Sequence, residues 1–242
     1  MTTAEVHYES HLARSYPWMA GGMDAAMRRG RNEVERNCPA PRPGQVAVDL
    51  GSGFGMHAIP LARKGYRVLA VDTSSWLLGL LRDHSEALPI HAVEDSILHF
   101  PRHLEGRADL IVCMGDALTH LPDCTEVERL FVAMSQSLRV GGQALLSFRD
   151  YTTPLKEAQR FIPVMSSAQR ILTCFLEFSP ETVCVHDILH EREDSGWQLR
   201  VSTHRKLRLS PAWVCRALQA QGLCVYVEAG RDGMTRVFAK KY

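Results

Sequence analysis

VAVDLGSGFG, Val46 to Gly55, is the stretch whose reading decides the fold. Val46, Val48 and Leu50 read as a short buried strand, Gly51-Ser52-Gly53-Phe54-Gly55 as the turn after it, and Met56 to Arg63 as the opening of a helix. A strand, a glycine-rich turn and a helix in that order set main-chain N–H groups and a helix N-terminus beside a ligand. Side chains there would hold the ligand off the backbone. A dinucleotide fingerprint is G-x-G-x-x-G, and Met56 stands where its third glycine belongs. Asp49, two residues before the first glycine, would repel a pyrophosphate and attract a cation. The next hydrophobic run, VLAVD, ends in Asp72, 21 positions after Gly51, a distance at which an acid suits ribose hydroxyls.

From Val46 to Asp150 the sequence resembles the class I S-adenosylmethionine-dependent methyltransferases. The resemblance runs through VDLGSGFG, VLAVDTS, the Glu94-Asp95-Ser96 triplet, ADLIVCMGDALTHLP and LRVGGQALLSFRD. MGDALTHLP and the region after Asp150 make it similar, within that class, to glycine/sarcosine and amino-sugar N-methyltransferases. S-adenosylmethionine has a sulfonium, an ammonium and no phosphate, which suits Asp49. The resemblance implies cofactor contacts at Asp49, Gly51, Ser52 and Gly53, at Asp72 and Thr73 beside the ribose, and at Asp95 and Ser96 beside the adenine. It also implies contacts from Met114 and His120, and from Tyr16 and Trp18 in an N-terminal helical lid.

At 242 residues, 45% apolar and 23% charged, the chain can bury one sizeable core and is ordinary for a soluble globular protein. A net charge of +1 gives no pull towards nucleic acid or acidic membrane. MTTAEVHYESH has no basic n-region and no apolar h-region, so it does not read as a signal peptide. No apolar run approaches the roughly 20 residues of a membrane-spanning helix. Seven scattered cysteines, mostly inside hydrophobic runs, read as buried free thiols of a cytoplasmic protein.

Strands and helices alternate through residues 45–150, which predicts a Rossmann-like, mostly parallel seven-stranded α/β sheet with helices on both faces. Residues 1–44 read as the lid, with Tyr8, Tyr16 and Trp18 ahead of a helix from about Gly22 to Asn37 and a proline-rich linker at Pro39–Gly44. Further strands are expected at Arg67–Val71, Ile90–Val93, Leu110–Met114 and Gln143–Phe148. Thr73 or Ser74 caps a helix to about Glu86; Thr125 and Glu128 suggest a capping box for another, ended by Gly141-Gly142. After Asp150 the pattern changes. Tyr151–Gln169 reads as helical or irregular, and Ile171–Phe178, Thr182–His190 and Gln198–Leu209 as three antiparallel strands of an insertion, residues 151–209, that roofs the pocket. Ser210 caps the last helix, and Leu223–Val227 and Arg236–Lys240 form a hairpin through Arg231-Asp232-Gly233 in the closing segment, 210–242.

The expected reaction moves a methyl group from S-adenosylmethionine to nitrogen or oxygen of a small molecule. Two alternatives stand beside it: a non-catalytic adenosyl-ligand-binding protein of the same fold, and a nicotinamide-dependent oxidoreductase. Asp116, Arg149, Asp150, Tyr151 and His186 are the candidate acceptor lining, with Asp116 and Tyr151 as catalytic candidates. The resembling N-methyltransferases have asparagine where Asp116 stands, which leaves its role open. His186 and His190 are four apart, about 13 Å along a strand, and no C-x-x-C or H-E-x-x-H occurs, so no metal is expected. The Gly-Asp-Ala-Leu run after the fourth strand replaces the Asn/Asp-Pro-Pro-aromatic run of nucleic-acid amino-methyltransferases, which argues against a DNA or RNA acceptor.

Overall fold

A computed structural model describes residues 13–85, 87–230 and 233–242. Tyr8, Glu86, Arg231 and Asp232, invoked above for the lid aromatics, a helix end and the last hairpin, lie outside the described residues.

The main sheet is built from β1 (Val46–Leu50), β2 (Arg67–Asp72), β3 (Ile90–Glu94), β4 (Ala108–Cys113), β5 (Leu138–Arg149), β10 (Leu223–Ala229) and β11 (Met234–Lys241). Its order is β10-β11-β5-β4-β1-β2-β3. The five strands from β3 to β5 are parallel, and β11 runs antiparallel to both β5 and β10. The order reverses between β1 and β4, the place where an open α/β sheet opens a crevice at its C-terminal edge.

Helices α1 (Tyr16–Met19), α2 (Met23–Asn37), α3 (Ala58–Lys64), α4 (Ser75–His84), α5 (Cys124–Ser137) and α6 (Pro211–Ala220) cover the sheet. On one face Val127, Leu130, Phe131 and Met134 of α5 join Val214 and Leu218 of α6 against Val48, Ile111 and Leu146. On the other, Val34 of α2 and Ala58, Leu61 and Ala62 of α3 pack on Ala47, Val68 and Val112. Apolar residues on both sides of each central strand are what a sheet buried on two faces requires.

Three local expectations are corrected. The cap of α5 is Asp123, whose Oδ1 accepts from the Glu126 amide at 2.9 Å, so Thr125 already lies inside the helix. Gly141-Gly142 do not end a helix; they sit inside β5, where the register with β4 shifts. A Cβ on Gly142 would stand 2.9 Å from the Arg139 carbonyl oxygen, so the bulge needs glycine. The insertion has four strands, in the order β6-β7-β8-β9: β6 (Phe161–Ser166), β7 (Arg170–Phe178), β8 (Thr182–Glu193) and β9 (Gly196–Leu207). β6 falls in the stretch Tyr151–Gln169 that reads as helical or irregular; it is an edge strand with an irregularity after Pro163, where proline is tolerated.

Candidate active site

One cavity, of about 470 Å³, lies over the C-terminal ends of β1, β2 and β4. Tyr16, Gly51, Gly53, Asp72, Thr73, Ser96, Met114 and His120 of the expected cofactor residues line it, together with Leu77, Ile97, Leu98, His99, Ala117, Leu121 and Pro122. Gly51 has φ 74° and its virtual Cβ would lie 2.6 Å from the Ala117 Cβ, so the turn and the loop after β4 close on each other only through glycine. Asp72 is fixed at the wall: its Oδ2 accepts from the Gly53 amide at 2.7 Å and its Oδ1 from the Ser74 amide at 2.9 Å.

The turn's amides are committed inside the chain. Gly51 and Ser52 N–H both donate to the Val71 carbonyl, Gly53 N–H to Asp72, and Gly55 N–H to the Ser52 carbonyl. The phosphate cradle that a glycine-rich turn suggests in sequence is therefore absent at these four positions. Below them Asp49 is 1% exposed, and neither carboxylate oxygen has a hydrogen bond of ordinary geometry. Burial pushes its carboxyl up to about 6, against the opposing pull of His57, while Asp72 pushes it further up.

Asp49, Ser52, Trp18 and Asp95 are not in the lining. Asp49 and Ser52 are buried under the turn. The Trp18 ring faces away to Arg170, whose guanidinium carbon is 5.9 Å from the ring centroid. Asp95 turns to His103 and His99, each at 2.8 Å, and these hydrogen bonds hold its carboxyl well below the usual range; the neighbouring Ser96 takes the place on the cavity wall.

A second cavity, of about 350 Å³, lies under the insertion and shares Tyr16, Gly115 and His120 with the first. Arg149, Asp150 and Tyr151 line it as expected. Its far wall is apolar, from Leu155, Ile162, Val164, Leu176, Phe178 and Val185. Asp116 lies just behind it in a left-handed conformation, φ 77°, that asparagine and aspartate tolerate best among residues with side chains. Its carboxylate accepts from Lys206 Nζ at 2.6 Å, the Arg149 amide at 2.9 Å and the Tyr151 hydroxyl at 3.4 Å. Burial alone would push the Lys206 ammonium down; the Asp116 carboxylate, helped by Tyr151, more than reverses this and holds it above its ordinary value. Burial also raises the Tyr151 phenol.

Beside this group Asp187 Oδ1 accepts from the Cys174 thiol at 3.0 Å, and Asp187 Oδ2 lies 3.2 Å from His204 Nδ1, both side chains 4% exposed. The His204 ring stacks on His120 at 5.3 Å between centroids. Asp187, His204, Lys206 and Cys174 were not anticipated from sequence. His186, which was, faces the opposite side of β8, 3.3 Å from Glu177 and 3.1 Å from Thr203 Oγ1. Strand parity is the reason: Val183 and Val185 are buried, so Asp187 follows them inward and His186 goes out. The alternation VCVHD carried that signal. His190 shares the outer face with His186. Among the described residues one trio, Glu177, Cys184 and His186, brings possible metal-ligating atoms within 4.8 Å of one another; Arg205 lies across the ladder from Cys184.

Residues 47–142 match the family model described as a methyltransferase domain. Over these residues the chain is similar to a methyltransferase domain. Human glycine N-methyltransferase is 27% identical over 122 residues, covering 44% of this chain and 41% of that protein. The ubiquinone biosynthesis O-methyltransferase of Xanthomonas euvesicatoria pv. vesicatoria is 32% identical over 110 residues, 43% of each chain. The chain thus spans about two fifths of the length of these curated relatives. The whole described fold, insertion included, is similar to the CcbJ methyltransferase from Streptomyces caelestis, with a TM-score of 0.78 at 20% identity over 98% of each chain. Among the described residues, no helix is long and apolar enough to cross a membrane.

Proposed function

We propose that this chain transfers a methyl group from S-adenosylmethionine to nitrogen or oxygen of a small molecule. The observation that carries the reading is the pairing of a buried Asp49, without a hydrogen bond of ordinary geometry, with a glycine turn whose amides are already bonded within the chain. Such a site offers negative potential, and these four amides do not face a pyrophosphate, which favours a cationic adenosyl ligand over a nicotinamide dinucleotide.

The residues present fit that ligand. Asp72 and Thr73 would hold the ribose, Ser96, Ile97 and Leu98 the adenine, and Gly51, Gly53 and Met114 the amino-acid end, with Asp49 supplying charge from below. When bound, the cofactor supplies an electrophilic methyl on its sulfonium. The chain supplies placement and dryness. Tyr16, Gly115 and His120, shared by both cavities, mark where the two ligands meet. Orientation of this kind is worth about 7–11 kcal/mol in the best intramolecular models. The acceptor cavity is apolar at the insertion and polar at Tyr151, Lys206, Asp187 and His204, so it suits a molecule with an apolar body and a polar reacting end. The His204–Asp187 pair lies where a proton leaving that end can be taken up.

Titration calorimetry with S-adenosylmethionine, S-adenosylhomocysteine and NAD tests the reading. The two adenosyl ligands should bind and NAD should not, and Asp72→Ala should weaken them about tenfold or more, since each lost hydrogen bond to a buried group costs about 1–3 kcal/mol. Binding of NAD alone would refute the cofactor assignment. A screen with S-adenosylmethionine carrying a labelled methyl, against amphipathic amines and hydroxyl compounds, separates transfer from plain binding.

A further inference from the structure

Cys184-Val185-His186 sets a thiol and an imidazole two residues apart on β8, so both point to the same face of the strand, away from the acceptor cavity. Glu177 of β7 stands directly across the ladder from Cys184. The three residues bring a sulfur, a ring nitrogen and a carboxylate oxygen within 4.8 Å of one another. His186 Nε2 is 3.3 Å from Glu177 Oε2. That is longer than the roughly 2.7–2.9 Å of a charge-assisted hydrogen bond. It matches two ligand atoms that each lie about 2.0–2.1 Å from one ion and subtend the tetrahedral angle there. On the far side of the imidazole, Nδ1 lies 3.1 Å from Thr203 Oγ1 of β9, and the Phe175 ring packs at 5.6 Å between centroids. With Nδ1–H donating to Thr203, the Nε2 lone pair is left facing Glu177. An outer hydrogen bond that fixes the tautomer is the usual companion of a metal-bound histidine.

We propose that Glu177, Cys184 and His186 bind one divalent ion of the zinc class. A thiolate and an imidazole select against magnesium and calcium, which take oxygen ligands. Among the described residues the group offers three ligands, which leaves the fourth tetrahedral position to water. Thiolate and carboxylate together neutralise the charge of the ion, so Arg205, across the ladder from Cys184, does not oppose it. The ligands come from two paired strands, which is why no C-x-x-C or H-E-x-x-H spacing announces them. The ion would tie β7 to β8 on the outer face of the insertion. On the inner face Leu176 and Val185, chain neighbours of the three ligands, wall the acceptor cavity. The site therefore stiffens that wall from behind. It goes beyond the proposed reaction and does not depend on it.

The test is calorimetric titration of the metal-free full chain with zinc chloride, in a parent carrying Cys124→Ser and Cys224→Ser so that the two exposed thiols cannot compete. One ion should bind with a Kd of about 1 µM or tighter. Cys184→Ser and His186→Ala should each weaken binding at least about a hundredfold, and Thr203→Val, which removes only the outer hydrogen bond, about tenfold. Cobalt(II) in place of zinc should give the near-ultraviolet charge-transfer band of a thiolate ligand, and Cys184→Ser should abolish it. Zinc at about a hundred times its Kd should raise the melting temperature by about 5 °C or more, and should not do so in His186→Ala. A parent that binds no zinc overturns the site. Binding that survives both Cys184→Ser and His186→Ala shows an adventitious ion only and overturns it too. Cobalt bound without the charge-transfer band removes Cys184, and with it the proposed ligand set. Circular dichroism of each variant verifies folding. Glu177→Gln, at an exposed position, keeps the test decisive if a change inside β8 misfolds the chain: it should weaken zinc at least about tenfold, and unchanged affinity refutes the site.

Discussion

Asp49→Asn is the most informative single change, because the cost of Asp49 can be worked out. Its carboxyl is pushed up to about 6 from an ordinary value of 3.8, chiefly by burial. Well below pH 3.8 the group is protonated in both folded and unfolded chains and contributes nothing. Between about pH 4 and 6 the unfolded chain loses this proton first, so the native state binds more protons and stability falls as pH rises. Above about pH 6 the penalty is complete. The rise from 3.8 to about 6 corresponds to about 3 kcal/mol, at roughly 1.36 kcal/mol for each pH unit. Asparagine does not titrate, so the variant should lack this loss. The assay is denaturant unfolding of both proteins at pH 4, 5, 6, 7 and 8 without ligand. The quantity compared is the difference in stability between them, in which every other carboxylate cancels. That difference should move by about 2.4 kcal/mol in favour of asparagine between pH 4 and 7. A pH-independent difference would refute the claim that a strained, ionised carboxylate lies under the glycine turn. S-adenosylmethionine should bind the variant more weakly at pH 8, because the charge destabilising the empty fold is the one proposed to attract the cofactor.

Three other outcomes follow from the geometry. Gly51→Ala sets a methyl 2.6 Å from the Ala117 side chain at a residue with φ 74°; calorimetry should find cofactor binding lost, and thermal melting should drop by several degrees. Lys206→Met leaves the Asp116 carboxylate buried without its ammonium and should cost about 3–5 kcal/mol in denaturant unfolding. Adding Asp116→Asn should recover much of that cost, and no recovery would disprove the coupling. In an assay on an identified acceptor, Asp187→Asn should lower turnover while leaving cofactor affinity within about twofold; unchanged turnover would leave Asp187 a purely structural role.

The order of elements from β1 to β5 was legible because each carries a local signal: a buried apolar run, a capping serine, a glycine turn. Asp72 and the glycines were legible for the same reason, since their spacing along the chain is what sets them beside one cavity. The insertion was readable as antiparallel but not as four-stranded, because an edge strand accepts proline and needs no strong pattern. Lys206 could not be found at all: its partner Asp116 lies 90 residues away, and only the packing of β9 on the loop after β4 joins them. Asp187 was within reach, because the alternation of Val183 and Val185 points it inward and His186 outward.

Tyr16, Gly115 and His120 are walls of both cavities. A ligand that settles one of these walls therefore settles it for the other ligand too. The two affinities are linked, and the linkage is reciprocal: whatever factor the demethylated cofactor adds to acceptor binding, the acceptor adds to the cofactor. Measured in either order, the two titrations must close the same thermodynamic box. The ligand that binds second pays less to order the shared walls, so a missing acceptor can be sought as the compound that tightens S-adenosylhomocysteine.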